Sequence, residues 1–181
     1  MSTQTLIAAF GFAGLLIVTG CGEESDAAGG ASPSGTATAD NEPDAAGDAV
    51  TLRADFHPVA GAPPQAETVR GIAEQRRFSD GATVSVELGG LVPNTDYIAH
   101  LHVGPCSLPD PGGAHFAFDP SGPDAPPNEV HLRFTSDAQG DGIAVTEVAR
   151  PLPDGQAESV VVHAMGQGSH STPKLACAQL G

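Results

Sequence analysis

The chain has 181 residues and carries 22 acidic side chains against seven basic ones, for a formal net charge of −15. Such an acidic chain is repelled by backbone phosphates, which excludes nucleic acid as a partner. With 23 Gly and 16 Pro interrupting it, the chain has no stretch with a sustained helical period, which excludes a helical bundle.

Residues 6–18, LIAAFGFAGLLIV, form an apolar run without a charge. The run is shorter than the roughly 20 residues a membrane span needs and fits the hydrophobic region of a signal peptide. Val18-Thr19-Gly20-Cys21 follows and resembles the bacterial lipobox, so residues 1–20 read as a lipoprotein signal peptide and Cys21 as the lipidated new N-terminus. Residues 22–49 are Ala, Gly, Ser, Thr, Pro, Asp and Glu with one Asn, a composition that buries too little apolar surface to offset the entropy of ordering. Residues 21–49 are therefore expected to be a disordered acidic tether on a lipid anchor. The tether takes seven of the acids and no base, so residues 50–181 keep a charge of −8. Those 132 residues suit one domain with one core. With Cys21 lipidated, Cys106 and Cys177 remain as an even pair in an exported protein, where disulfides persist.

Short β-type runs recur along the domain: Val50–Phe56, Thr68–Phe78, Thr83–Leu88, Tyr97–Val103, Val130–Thr135, Ile143–Val148 and Ser159–His163. Turn signals separate them, among them Ser79-Asp80-Gly81, Pro93-Asn94-Thr95, Gln139-Gly140-Asp141-Gly142 and Pro153-Asp154-Gly155. Seven or eight short strands of this kind predict an all-β fold, an antiparallel sandwich or flattened barrel. The connection from Gly104 to Asn128 is longer than ordinary loops; loops of that length are usually functional or disordered, and this one contains a Cys and a His.

Within Tyr97–Val103, strand alternation sets His100 and His102 on one face and Ala99, Leu101 and Val103 on the other. Two imidazoles at i and i+2 can reach one metal ion while the apolar face packs into the core. His115 in the long loop is a third candidate, and His163, at the end of Ser159–His163, is a fourth. Four imidazoles suit copper or zinc, and a tetragonal nitrogen set favours copper.

A family resemblance sharpens this. Gly90-Leu91-Val92-Pro93-Asn94 leading to His100-Leu101-His102 resembles the turn and H-x-H strand of the copper/zinc superoxide dismutases. Gly113-Ala114-His115-Phe116 is similar to that family's G-A-H-F motif, and Val161-Val162-His163-Ala164 to its V-V-H-E motif. Thr135-Ser136-Asp137-Ala138-Gln139-Gly140 resembles its T-A-D-x-x-G turn, and Lys174-Leu175-Ala176-Cys177 its terminal R-L-A-C, all in the family's order. The resemblance implies a Greek-key β-barrel of about eight strands. It implies a metal site of His100, His102, His115 and His163, with His115 as the bridging and proton-supplying histidine, and a Cys106–Cys177 disulfide tying a loop to the barrel. Lys174 stands where the family's anion-guiding arginine stands.

The departures are equally specific. The family's zinc site adds two histidines downstream of the bridging one and an aspartate before the T-A-D-x-x-G turn. No histidine lies between His115 and Val130, and Val130 occupies the aspartate's position; alternation aims the neighbouring His131 to the opposite face. The segment between His163 and Cys177 is shorter than the family's electrostatic loop. The chain thus resembles the copper-only, zinc-less lipoprotein-type members, which implies one copper per chain and no zinc. The implied activity is copper-dependent dismutation of superoxide to oxygen and hydrogen peroxide at the cell envelope, the anchored domain facing the periplasm or the outside. The alternative is a non-enzymatic copper-binding envelope lipoprotein with the same fold. Without zinc, the second ring nitrogen of His115 needs another partner; Asp119, Asp124 and Glu129 are the candidates. His57, His131 and His170 read as surface or packing residues. The sequence carries no signal for an oligomeric state.

Overall fold

The computed structural model describes residues 49–165 and 172–181. The leader, Cys21 and the tether lie outside the described residues, Ala49 apart, and so does His170. Among the described residues eight strands form in chain order: β1 Val50–Pro58, β2 Arg70–Arg77, β3 Ala82–Gly89, β4 Asp96–His102, β5 His131–Thr135, β6 Gly142–Val148, β7 Ser159–Ala164 and β8 Lys174–Gln179. A single turn of 3₁₀ helix, Pro64–Ala66, interrupts the β1–β2 connection.

Alternation explains the outer strands. In β3, Ala82, Val84, Val86 and Leu88 are buried while Thr83, Ser85 and Glu87 face outward. In β6, Ala144 and Val148 turn inward, leaving Ile143 and Val145 exposed. Every neighbouring pair is antiparallel, in the order β5-β4-β7-β8-β1-β2-β3-β6. Strands β3 and β6 are neighbours, as are β4 and β7, so the chain crosses from one side of the sheet to the other between β3 and β4 and again between β6 and β7. That is the predicted Greek-key barrel. The end strands β5 and β6 meet across its seam, where Thr146 Oγ1 donates to the His131 carbonyl at 2.8 Å. The interior is filled by Phe56, Val84, Leu101, Phe116, Leu132 and Val160, none more than 1 % exposed. Burying each of the larger ones stabilises the barrel by about 1.5–3 kcal/mol.

Strand β8 is not among the runs read from sequence. It lies between β7 and β1, and Leu175, Ala176, Cys177 and Ala178 are all buried. A strand covered on both faces shows no alternation, and its alanines carry little β-propensity. Val103, expected on the core face of the histidine strand, lies one residue beyond the end of β4 and is 42 % exposed.

The long β4–β5 connection is ordered by backbone pairing back onto β4. Val103 N donates to Ala114 O at 3.1 Å and Phe116 N to Leu101 O at 2.8 Å. The Phe116 ring enters the core, and Cys106 is joined to Cys177 of β8 with their Cα atoms 5.8 Å apart. Closing a loop of this length stabilises a small domain by about 2–5 kcal/mol. Gly112 and Gly113 have φ of +78° and +65°. At Gly112 a Cβ would stand 2.7 Å from Val161 Cγ2 and 3.0 Å from His102 Cγ, so only glycine lets the loop pass this close to the histidine.

Candidate metal centre

Strand β4 presents His100 and His102 on the face away from the core. Strand β7 adds His163, which pairs with Ile98 of the same β4 face. A register shift between Val162 and His163 interrupts the ladder where the ring must turn toward the site. The loop supplies His115, bridged directly to His102. The four histidines predicted as ligands come together: each offers one ring nitrogen, and these atoms lie within 4.8 Å of one another. The backbone partner of each is fixed by the sheet, so the cluster is a property of the register.

Hydrogen bonds select the tautomers. His102 Nδ1 donates to Gly113 O at 3.1 Å, and His163 Nδ1 to Thr172 O at 3.3 Å. A carbonyl oxygen only accepts, so Nε2 of each neutral ring carries a lone pair. Burial, with His115 as the next cause lowering it, holds His102 down at about 3. Burial likewise holds His163 at about 4, although its bond to Thr172 pulls the other way. Burial and then His115 push His100 still further down. The rings of His102 and His163 are therefore neutral near pH 7, yet their Nε2 atoms face each other at 3.3 Å. Two lone pairs at that distance repel unless an electrophile accepts both. His100 Nδ1, buried and without a hydrogen-bond partner, is a further ring nitrogen that a Lewis acid could satisfy. The residues present fit a metal ion, and a set of four imidazoles fits copper.

On the far side of His115, Glu129 is the partner that Nδ1 finds, at 3.2 Å. Asp119 instead accepts from the backbone and hydroxyl of Ser121, and Asp124 is exposed. The sequence left these three open; burial and the Ala117↔Glu129 bridge decide for Glu129. His131 corrects the expectation from alternation. It does point away from Val130, but Val130 is the one that faces the core, while His131 pairs with His100 and shares its face. The register of β5 is set by Leu132 and Val130 packing inward, which spacing from Thr135 did not reveal. His131 Nε2 donates to Glu129 at 2.8 Å, and its ring lies edge-on to His100 with centroids 4.5 Å apart. His100, Glu129 and His131 also fall within 4.8 Å of one another, but this second set shares His100 with the first. His57 is exposed on β1, opposite Cys177.

His102, His115 and His163 open onto a cleft of about 520 Å³ whose walls include Lys174, Asp110 and Pro173. Lys174 Nζ donates to Asp110 Oδ1 at 2.6 Å, Pro111 O at 2.8 Å and Gly113 O at 3.0 Å. Its three donors are thus all engaged by the loop, and Gly113 O accepts from both Lys174 and His102. The hydrogen bond from Lys174 also holds the Asp110 carboxyl below the usual carboxylate range.

No family model and no curated protein matches the chain. Among solved structures, the Cu/Zn superoxide dismutase from Brucella abortus is similar, with a TM-score of 0.53 and 19 % identity, over 73 % of this chain and all of that one. The eight-stranded Greek-key barrel with its histidine-bearing strand thus has the fold of the Cu/Zn superoxide dismutases.

Proposed function

We propose that the protein is a copper-dependent superoxide dismutase, lipid-anchored through Cys21 at the cell envelope, with one copper and no zinc per chain. The observation that carries this reading is the pair of Nε2 lone pairs of His102 and His163 at 3.3 Å, inside a ring of four imidazoles open to a cleft. Copper bound by His100, His102, His115 and His163 would supply the one-electron couple that disproportionation of two superoxide ions and two protons to oxygen and hydrogen peroxide requires.

The chain's own residues do the rest. The carbonyls of Gly113 and Thr172 hold His102 and His163 in the ligating tautomer. Glu129 does the same for His115 from its Nδ1 side, where the family resemblance would otherwise put a zinc ion. His115 has a side chain 28 % exposed, so its Nε2 can carry a proton to an oxygen species in the cleft when that atom is not ligating. Lys174 is the cation on the cleft wall, opposing the domain's net negative charge toward an anion.

The engagement of Lys174 by Asp110 favours a second reading, a non-enzymatic copper-binding lipoprotein, since a paired cation attracts an anion weakly. Superoxide decay in rapid mixing with copper-loaded protein, alongside metal analysis after refolding with copper and zinc, separates the two. Dismutation is expected to be fast and to scale with bound copper. One copper without catalysis overturns the enzyme; tightly held zinc beside copper overturns the zinc-less site.

A further inference from the structure

His131 reads as a surface or packing residue in the sequence, yet its side chain is largely buried and it is a poor choice for packing. Its side chain is 8 % exposed and its Nδ1 is buried without a hydrogen-bond partner. An unpaired buried nitrogen is costly, and an apolar ring would fill the same space beside His100 without that cost. What the imidazole alone supplies is Nε2–H, which donates to Glu129 at 2.8 Å.

Glu129 needs that donor. Its side chain is 4 % exposed, and a buried carboxylate is stable only when its oxygens are bonded. His115 Nδ1 lies 3.3 Å and 3.2 Å from its two oxygens, a long and divided contact that by itself leaves the carboxylate free to swing. The shorter bond from His131 fixes Oε2 and so directs the carboxylate at His115. His131 also stands directly opposite His100 in the β4–β5 ladder, with its ring edge-on to that ring. One residue of β5 therefore touches one proposed ligand and holds the anchor of another.

We infer that His131 is a positioning residue, which fixes the Glu129 carboxylate on His115 Nδ1 through its own Nε2–H and braces the His100 ring. The inference rests on the reading of His100 and His115 as metal ligands only for its effect on copper. The His131–Glu129–His115 chain itself is a property of the metal-free protein.

The test uses the full chain and four forms: native, His131→Phe, His131→Gln and His131→Asn. Phe keeps the ring beside His100 and removes the donor. Gln places an amide nitrogen near the Nε2 position, whereas Asn reaches only as far as Nδ1. In metal-free native protein, nitrogen-15 NMR should show exchange-protected ring protons on His131 Nε2 and His115 Nδ1. His131→Phe and His131→Asn should lose the protection at His115, and His131→Gln should keep it. Copper affinity by chelator competition should fall about 10–100-fold in Phe and Asn and stay within about threefold in Gln, with a matching change in the copper EPR signal only in the first two. An unprotected His131 Nε2 proton in the native protein overturns the proposal. So does native protection at His115 in His131→Phe or, if that variant does not fold, in His131→Asn. If native protein binds no copper while the His115 signal still follows the variants, the positioning stands and the copper reading falls. If copper binds natively with the same affinity in all four forms, the positioning role falls and the copper reading stands.

Discussion

The two sides of the histidine cluster are held in different ways. On one side, His102 and His163 are oriented by backbone carbonyls, Gly113 O and Thr172 O. On the other, His115 is oriented by a side chain, the buried carboxylate of Glu129, which His131 also bonds. A carbonyl anchor is fixed by the path of the chain, so it survives most substitutions at its own residue but depends on the loop's conformation. A carboxylate anchor depends on a single side chain and its charge. The first side is therefore expected to be robust to point changes in its partners, and the second fragile.

The largest effects should come from the rings themselves. His102→Ala or His163→Ala should abolish copper-dependent superoxide decay and weaken copper binding by more than the 10–100-fold typical of losing an outer partner. Both side chains face away from the core, so far-ultraviolet circular dichroism should stay native. Either variant keeping most of its activity per bound copper would remove it from the ligand set.

The contrast between anchors is sharpened by a matched pair. Glu129→Gln should lower copper affinity about 10–100-fold, while Thr172→Ala, which leaves its carbonyl in place, should change it by less than about threefold. Competition titrations with a copper chelator measure both. Equal losses in the two variants would break the distinction.

A third outcome concerns acid. His102 is held at about 3 and His163 at about 4, against an ordinary value of 6.5. Between those limits the unfolded chain binds protons that the folded chain does not, so the free energy of unfolding, and with it stability, falls as pH drops. The metal-free domain should lose melting temperature steadily from about pH 6.5 toward pH 4, with its full stability regained above that window. Calorimetry across the range checks this, and a flat profile would mean that these rings are not buried neutral.

The smallest effect belongs to the cleft's cation. Removing the Asp110 charge at about 6 Å changes an anion's energy by roughly 0.7 kcal/mol at the dielectric of water, about a threefold change in capture. Asp110→Asn should therefore speed superoxide decay by about that factor, more at low salt, and Lys174→Ala should slow it by at least as much. Rate measurements at several ionic strengths decide. An unchanged rate in Lys174→Ala would leave the lysine with its loop-holding bonds alone.

How much of this was legible varied with the kind of signal. The H-x-H pair of β4 and the alternating strands could be read directly, because a period of two fixes which residues share a face. The four candidate ligand histidines and the Cys106–Cys177 disulfide followed from motifs in order. Strand β8 was not legible as a strand, since burial on both faces erased its alternation. Glu129 was one of three open candidates, and nothing local separates a buried carboxylate from the exposed Asp124 twenty-two residues into the same loop from His102. His131 was set aside because its face was judged by spacing from Thr135, whereas the pairing partner decides it.

The sequence by itself determined the all-β character, the order of seven of the eight described strands along the chain and the residues with candidate ligating nitrogens, because these depend on side-chain type and short-range period. The tertiary structure alone decided which nitrogen of each ring is free, which acid anchors His115, and that Lys174 is engaged by Asp110. Those outcomes depend on which groups distant in the chain meet at hydrogen-bond distance, and that is set by register between strands and by the path of a long loop. A shift of a single residue in either would have sent His131 into the core and left His115 Nδ1 without its carboxylate.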